Sequence, residues 1–295
     1  MFPKKSLPKE LKLRIADIVV LIVPEGAFPG FRVDDAYRPF ITEGEPEVIL
    51  RLHYGQLTND YDLGEKIFDS ASTWSLHRRN GKYLLRICYS NKNSTADKIV
   101  VLEPDFRLGE VYISNRWSNQ PVASDPLLYP FAELLMINLL SQGRGIITHS
   151  CGIDNNGEGM LFAGTSGAGK STLANLWKDR KDATVLSDDR IIIRKMDGRF
   201  WMYGTPWHGD AKVCSPEKAP LKKIFFLKHA KKSGIKKMSP IDATSRLIVC
   251  SFPTFWDKKG MEFTLNFCAE LAGKIPCYEL GFVPDERVLE LVKSI

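Results

Sequence analysis

Residues 164–173 read GTSGAGKSTL, and one short helix's length further on, at 187–190, the chain reads SDDR. The run Gly164-Thr165-Ser166-Gly167-Ala168-Gly169-Lys170-Ser171-Thr172 satisfies the phosphate-cradle pattern G-x-x-x-x-G-K-[ST]. Its surroundings agree: the apolar run Met160-Leu161-Phe162 leads in as a strand, and Ser171 to Trp177 leads out as a helix. Each residue type has a reason. Glycines at 164, 167 and 169 allow positive φ and a close approach of backbone to phosphate oxygens. Successive N–H groups then point inward as an anion nest, and the following helix turns its positive end to the same place. Lys170 is expected to reach the β- and γ-phosphates of ATP, and the Ser171 hydroxyl to join the oxygen shell of Mg2+. The bland alternative is a glycine-rich strand-to-helix turn that binds nothing.

Asp188 and Asp189 close the very next expected strand, earlier than the metal-holding acid of the common nucleotide-driven switches and motors. Neighbouring side chains on a strand point to opposite faces, so one carboxylate can face a metal while the other turns elsewhere. Phosphoryl transfer to a hydroxyl needs both a metal-holding acid and a base that orients the attacking group. Two adjacent carboxylates provide for both, and the alternative is that Asp189 merely pairs with Arg190. A second loop, Gly204-Thr205-Pro206-Trp207-His208-Gly209-Asp210, is costly to order without a task. His208 or Asp210 is expected to reach the transferred group or a metal, with Trp207 as a wall; the alternative is a tight loop whose Trp207 plugs the core. Arg190, Arg194 and Arg246 are candidates for stabilising charge on that group, Arg190 standing nearest the aspartates.

The rest of the chain sets the frame. Its 295 residues, 44% hydrophobic and 26% charged, can bury a full core and argue against disorder. A net charge of +6 with scattered lysine pairs suits solvated faces better than a nucleic-acid partner, and none is expected. The basic run Lys228 to Lys237 reads as a solvated loop, with a docking strip for an acidic peptide as the alternative. Six well-separated cysteines indicate neither a zinc site nor a disulfide framework, which points to reduced thiols in a cytoplasmic protein. Ser150-Cys151 and Cys214 have no nucleophile's partners and read as packing residues. The run Ile15 to Val23 is too short to span a bilayer and reads as a strand, so no membrane partner is expected.

Residues 1–124 read as a β-rich domain. Glu47 to Gly55 alternates apolar and polar residues, and Asn80-Gly81 between two alternating runs predicts a hairpin. His53 and His77 are isolated there and read as packing or surface residues. A boundary is expected in Asn119 to Pro130, followed by a buried helix from Phe131 that Gly143 closes. Residues 125–295 then alternate strands and helices, with a hairpin at Asp197-Gly198 and an amphipathic helix at the end.

From Leu127 onward, the cradle, the short helix, SDDR, HSCGI at 149–153 and YGTPWHGD at 203–210 resemble the catalytic domain of HPr kinase/phosphorylase. The resemblance is closer to the HPr-kinase-like proteins often encoded beside peptide-modification genes, and it does not extend to residues 1–120. It implies an α/β fold with a P-loop kinase core of the HPr kinase/phosphoenolpyruvate carboxykinase type behind a β-rich N-terminal domain. It also implies that Gly164 to Thr172 bind ATP phosphates, that Ser171 with Asp188 or Asp189 holds magnesium, and that the other aspartate is the base. His149 matches a histidine preceding the family's cradle. The expected activity is transfer of the γ-phosphoryl group to a hydroxyl, a serine of a peptide or protein such as a modified-peptide precursor. Two alternatives stay open: a small-molecule or carboxykinase-like enzyme, and a nucleotide-binding regulatory protein without turnover. Monomer and homo-oligomer are both open.

Overall fold

The computed structural model describes residues 10–26, 28, 30, 33–55, 57, 61–89, 95–114 and 125–295. Residues 119–124 of the expected boundary lie outside the described residues. The described residues are mixed α/β, with two large sheets of eight strands each and few helices. The chain divides into two compact units, Met1–Leu139 and Leu140–Ile295, with the division at the end of the helix from Phe131.

In the first unit, β1 (Leu11–Ile15) and β2 (Ile18–Glu25) form a hairpin. The apolar run from Ile15 is therefore not one strand. Ala16 and Asp17 break it, taking φ of 50° and 61°, the left-handed pair that a two-residue hairpin turn requires. A 3-10 turn (Asp35–Phe40) follows, then β3 (Val48–Tyr54), β4 (Glu65–Asp69), β5 (Trp74–Arg79), β6 (Lys82–Ile87), β7 (Lys98–Leu102) and β8 (Leu108–Ile113). The sheet order is β1-β2-β3-β8-β7-β6-β5-β4. The β2–β3 and β3–β8 pairs are parallel, and Asn80-Gly81 turns the antiparallel β5–β6 hairpin. Alternation on β3 sends Val48, Leu50 and Leu52 inward and leaves Arg51 and His53 outside, where both hold Glu110 of β8. His53 also stacks on Tyr112, and buried His77 bonds Ser75, so both histidines serve packing. Helix α1 (Phe131–Leu140) is buried over nearly its whole length, and Gly143 follows it with φ of 85°.

The second unit runs β9 (Ile146–Asn155), β10 (Glu158–Ala163), α2 (Lys170–Trp177), β11 (Ala183–Ser187), β12 (Arg190–Met196), β13 (Arg199–Tyr203), β14 (Lys218–His229), β15 (Gly234–Lys237), α3 (Pro240–Val249), α4 (Lys258–Lys274), β16 (Cys277–Phe282) and α5 (Arg287–Lys293). The long strands β9 and β14 each serve two sets of partners. Near one end they flank the β12–β13 hairpin; further along both pair with β10, β14 in parallel, and β16 and β15 extend the sheet beyond β14. Asp197-Gly198 turns the β12–β13 hairpin, as its sequence predicts. One apolar layer packs this sheet against α3 and α4, and another packs it against α2 and α5, with Trp177 fully buried. The basic run 228–237 is not simply a loop, because it spans the end of β14, a turn and the edge strand β15. All six thiols are free, five of them buried. No described helix is long and apolar enough to cross a membrane.

Candidate functional site

The strand β10 ends at Ala163, opposite Phe226 of its parallel partner β14, which runs on to His229. Crevices beyond the carboxyl ends of parallel strands are where open α/β sheets take ligands. Here residues 164–169 turn the chain from β10 into α2. Gly167 and Gly169 take φ of 80° and 100°, as their residue type predicts. Gly164 is not in that region; it is glycine for space, since a Cβ there would come within 2.7 Å of the Ala168 Cβ. Lys170, 6% exposed, folds back so that Nζ donates to the carbonyls of Gly164 (2.9 Å) and Thr165 (3.1 Å). Burial pushes its ammonium down from the ordinary lysine range, and the Asp189 charge opposes that.

The loop opens on a cleft of about 380 Å³. Ser166, Gly167, Gly169, Lys170, Ser171 and Thr172 line one side, His149 and Asp189 a second, and Gly209 and Asp210 a third. Gly164, Thr165 and Ala168 shape the loop from behind. Three segments distant in sequence thus meet at one void, and the backbone explains how. His149 sits on β9 where its N–H donates to Cys250 O (2.6 Å) and its carbonyl accepts from Gly164 N–H (3.3 Å). Its register partner across the sheet is Arg190 of β12.

The two aspartates lie just past β11, and they part company there. Asp188 is fully buried; its Oδ1 accepts from Gly209 N–H (2.8 Å) and its Oδ2 from Ala211 N–H (3.0 Å). It therefore pins the second loop over the first. A Cβ at Gly209 would stand 2.8 Å from Asp188 Oδ2 and 3.0 Å from Ser171 Oγ, so a hydroxyl and a carboxylate converge on the small space that this glycine leaves. Those are hard oxygen donors of the kind magnesium takes, so the residues fit that ion. Among the described residues no three His, Cys, Asp or Glu side chains gather into a metal cluster. A magnesium held here would rely on Ser171, Asp188 and oxygens from elsewhere.

Asp189 faces the cleft instead. Its Oδ1 is 2.9 Å from His149 Nε2, and its Oδ2 pairs with Arg190. Burial raises its carboxyl, but the His149 hydrogen bond and the Arg190 charge outweigh burial and hold it below the usual aspartate range. The Arg190 guanidinium in turn lies 4.5 Å over the ring of Phe252, which stands 6.4 Å from the His149 ring. The Asp189–Arg190 pair does form, but within a network rather than as a lone surface contact.

Other expected site residues lie elsewhere. His208 turns Nδ1 to the carbonyl of Gly209 (3.0 Å) and does not line the cleft, whereas the neighbouring Asp210 does. Trp207 is half-buried rather than a core plug, and its carbonyl accepts from Ser187 Oγ. Arg194 donates to Arg144 O, and Arg246 pairs with Glu279 over Phe226, which leaves Arg190 as the arginine of the three that touches the aspartates. Phe252 and Gly209 had no signal of their own in the sequence: one is an ordinary aromatic after a helix, and the other matters only for the side chain it lacks.

Compared with protein-family models and with curated proteins, the chain matches none.

Proposed function

We propose that this chain is an ATP- and magnesium-dependent kinase with a P-loop core of the HPr kinase/phosphorylase-like kind, which moves the γ-phosphoryl group to a hydroxyl, a serine of a peptide or protein. The observation that carries the reading is the convergence of Ser171 Oγ and Asp188 at Gly209, beside a glycine loop with a buried lysine and opposite the His149–Asp189 pair. A glycine turn that bound nothing would have no need of a second, acid-anchored loop closing over it.

Lys170 trades its two loop carbonyls for phosphate oxygens, and the cost is small because both states satisfy the ammonium. Ser171 and Asp188 are the residues that would hold magnesium, which would supply charge neutralisation on the phosphates. Asp189 is the base. Its lowered pKa keeps it ionised, and in a loose, dissociative transition state orienting the hydroxyl matters more than strong basicity. His149 fixes the direction of that carboxylate, and Arg190, over the Phe252 ring, adds positive charge near the transferring group.

The direct test is incubation of the purified chain with γ-labelled ATP and a cell lysate, followed by identification of labelled species. Magnesium-dependent label on a serine of a peptide or protein is expected. Label on a metabolite alone, or no label and no bound nucleotide, would overturn the reading.

A further inference from the structure

The glycine loop has one tether that comes from neither its own helix nor the aspartate side. His229, the last residue of β14, places Nε2 2.8 Å from the carbonyl oxygen of Gly167. A carbonyl only accepts, so Nε2 carries the hydrogen and donates. The peptide unit between Gly167 and Ala168 is held from both sides, because the Ala168 N–H donates to the Thr165 carbonyl (3.2 Å).

We infer that His229 is a positioning residue for the phosphate loop: it fixes the Gly167 carbonyl outward, and so keeps the amide edge of the loop turned to the nucleotide. This rests on the reading of that loop as an ATP site. The physical case starts from Gly167 itself. At φ of 80° and without a Cβ, the peptide unit following it can rotate at little steric cost. A rotation that swings the carbonyl into the nest puts a negative dipole where an anion must sit. One other restraint on this stretch is changed by loading, because Lys170 has to leave the Gly164 and Thr165 carbonyls to reach phosphate. The Ala168 N–H and the Gly167 carbonyl belong to one planar peptide and keep their directions together. The His229 bond lies on the loop's outer side and persists through that exchange. His229 is exposed, so nothing in the core depends on it.

The experiment measures the affinity of the full chain for a fluorescent ATP analogue with magnesium, with thermal unfolding of each variant alongside. Loss of one neutral hydrogen bond predicts about three- to tenfold weaker binding in His229→Ala and in His229→Phe, which fills space without donating. His229→Gln, whose side-chain amide donates from a similar reach, is expected within about twofold of wild type. Unfolding midpoints stay together, and in turnover the change falls on KM for ATP rather than on kcat. Equal affinity in wild type and His229→Ala, or no rescue by His229→Gln, overturns the role of His229 while leaving the ATP site standing. Failure of the wild type itself to bind the analogue overturns both.

Discussion

Each unit buries a lysine, and the two are bonded alike. Lys98 of the first unit is 1% exposed and donates to the carbonyls of Asp125 (3.1 Å) and Pro126 (2.8 Å); Lys170 of the second is 6% exposed and donates to those of Gly164 and Thr165. Their surroundings differ. Lys98 lies between the rings of Tyr89 and Phe131, at 5.9 and 5.8 Å, and burial pushes its ammonium down to about 8. Lys170 stands at the wall of a polar cleft, with acceptors on a loop rich in glycine. The number of hydrogen bonds at an ammonium therefore does not tell a latch from a ligand-binding group. A latch has nowhere else to point; a phosphate lysine has a void beside it and oxygens it can release.

Four substitutions or conditions break or sharpen that contrast. The largest effect is expected for Lys170→Ala, which should lower label transfer from ATP by about two to three orders of magnitude, the scale of deleting one transition-state charge donor. Its urea-unfolding stability should change far less, and an undiminished rate would refute the assignment. Lys98→Ala should do the reverse. Two buried carbonyls lose their donor, which costs about 2–4 kcal/mol in urea unfolding, with affinity for the ATP analogue unchanged.

Gly209→Ala comes next. Its methyl would intrude between Ser171 Oγ and Asp188, so magnesium-dependent nucleotide affinity should fall about tenfold while magnesium-free binding holds. Titration of nucleotide affinity against magnesium checks this, and parallel losses with and without the ion would separate Gly209 from the metal.

The last test is a pH dependence, whose effect builds up gradually across about two pH units. Lys98 is held at about 8 in the folded chain, below the ordinary lysine value. Between roughly pH 8 and 10 the unfolded chain binds a proton that the folded chain has released, so this group's contribution to stability rises with pH. Unfolding of wild type and Lys98→Met across that range should show the wild type gaining about 1–3 kcal/mol relative to the variant. A flat difference would mean that Lys98 keeps its proton. Lys170, free to turn toward the cleft, offers no comparable handle on stability.

Much of this was legible one segment at a time. Turn pairs at Asn80-Gly81 and Asp197-Gly198 marked their hairpins, because only a few residue types accept the left-handed conformations that those turns need. The Ala16-Asp17 turn is harder to see: Asp17 accepts positive φ, but Ala16 does not favour it, no glycine follows, and the apolar run continues past them. The loop from Gly164 and its lead into α2 were plain from local pattern. The division of labour between Asp188 and Asp189 was not, since it depends on which of them the 209–211 backbone comes to meet.

By itself, then, the sequence determined the periodic elements, the glycine loop and the candidate charges, because φ preference, alternation and helix period act within a few residues. Only the tertiary structure decided that His149, Asp189 and Gly209 gather at that loop, with Arg190 paired to Asp189, while His208, Arg194 and Arg246 lie elsewhere, and that His229 reaches back to Gly167 from 62 positions away. Such meetings are set by which strands pair and where long strands change partners. That is a property of the whole packed sheet, and no short stretch of chain carries it.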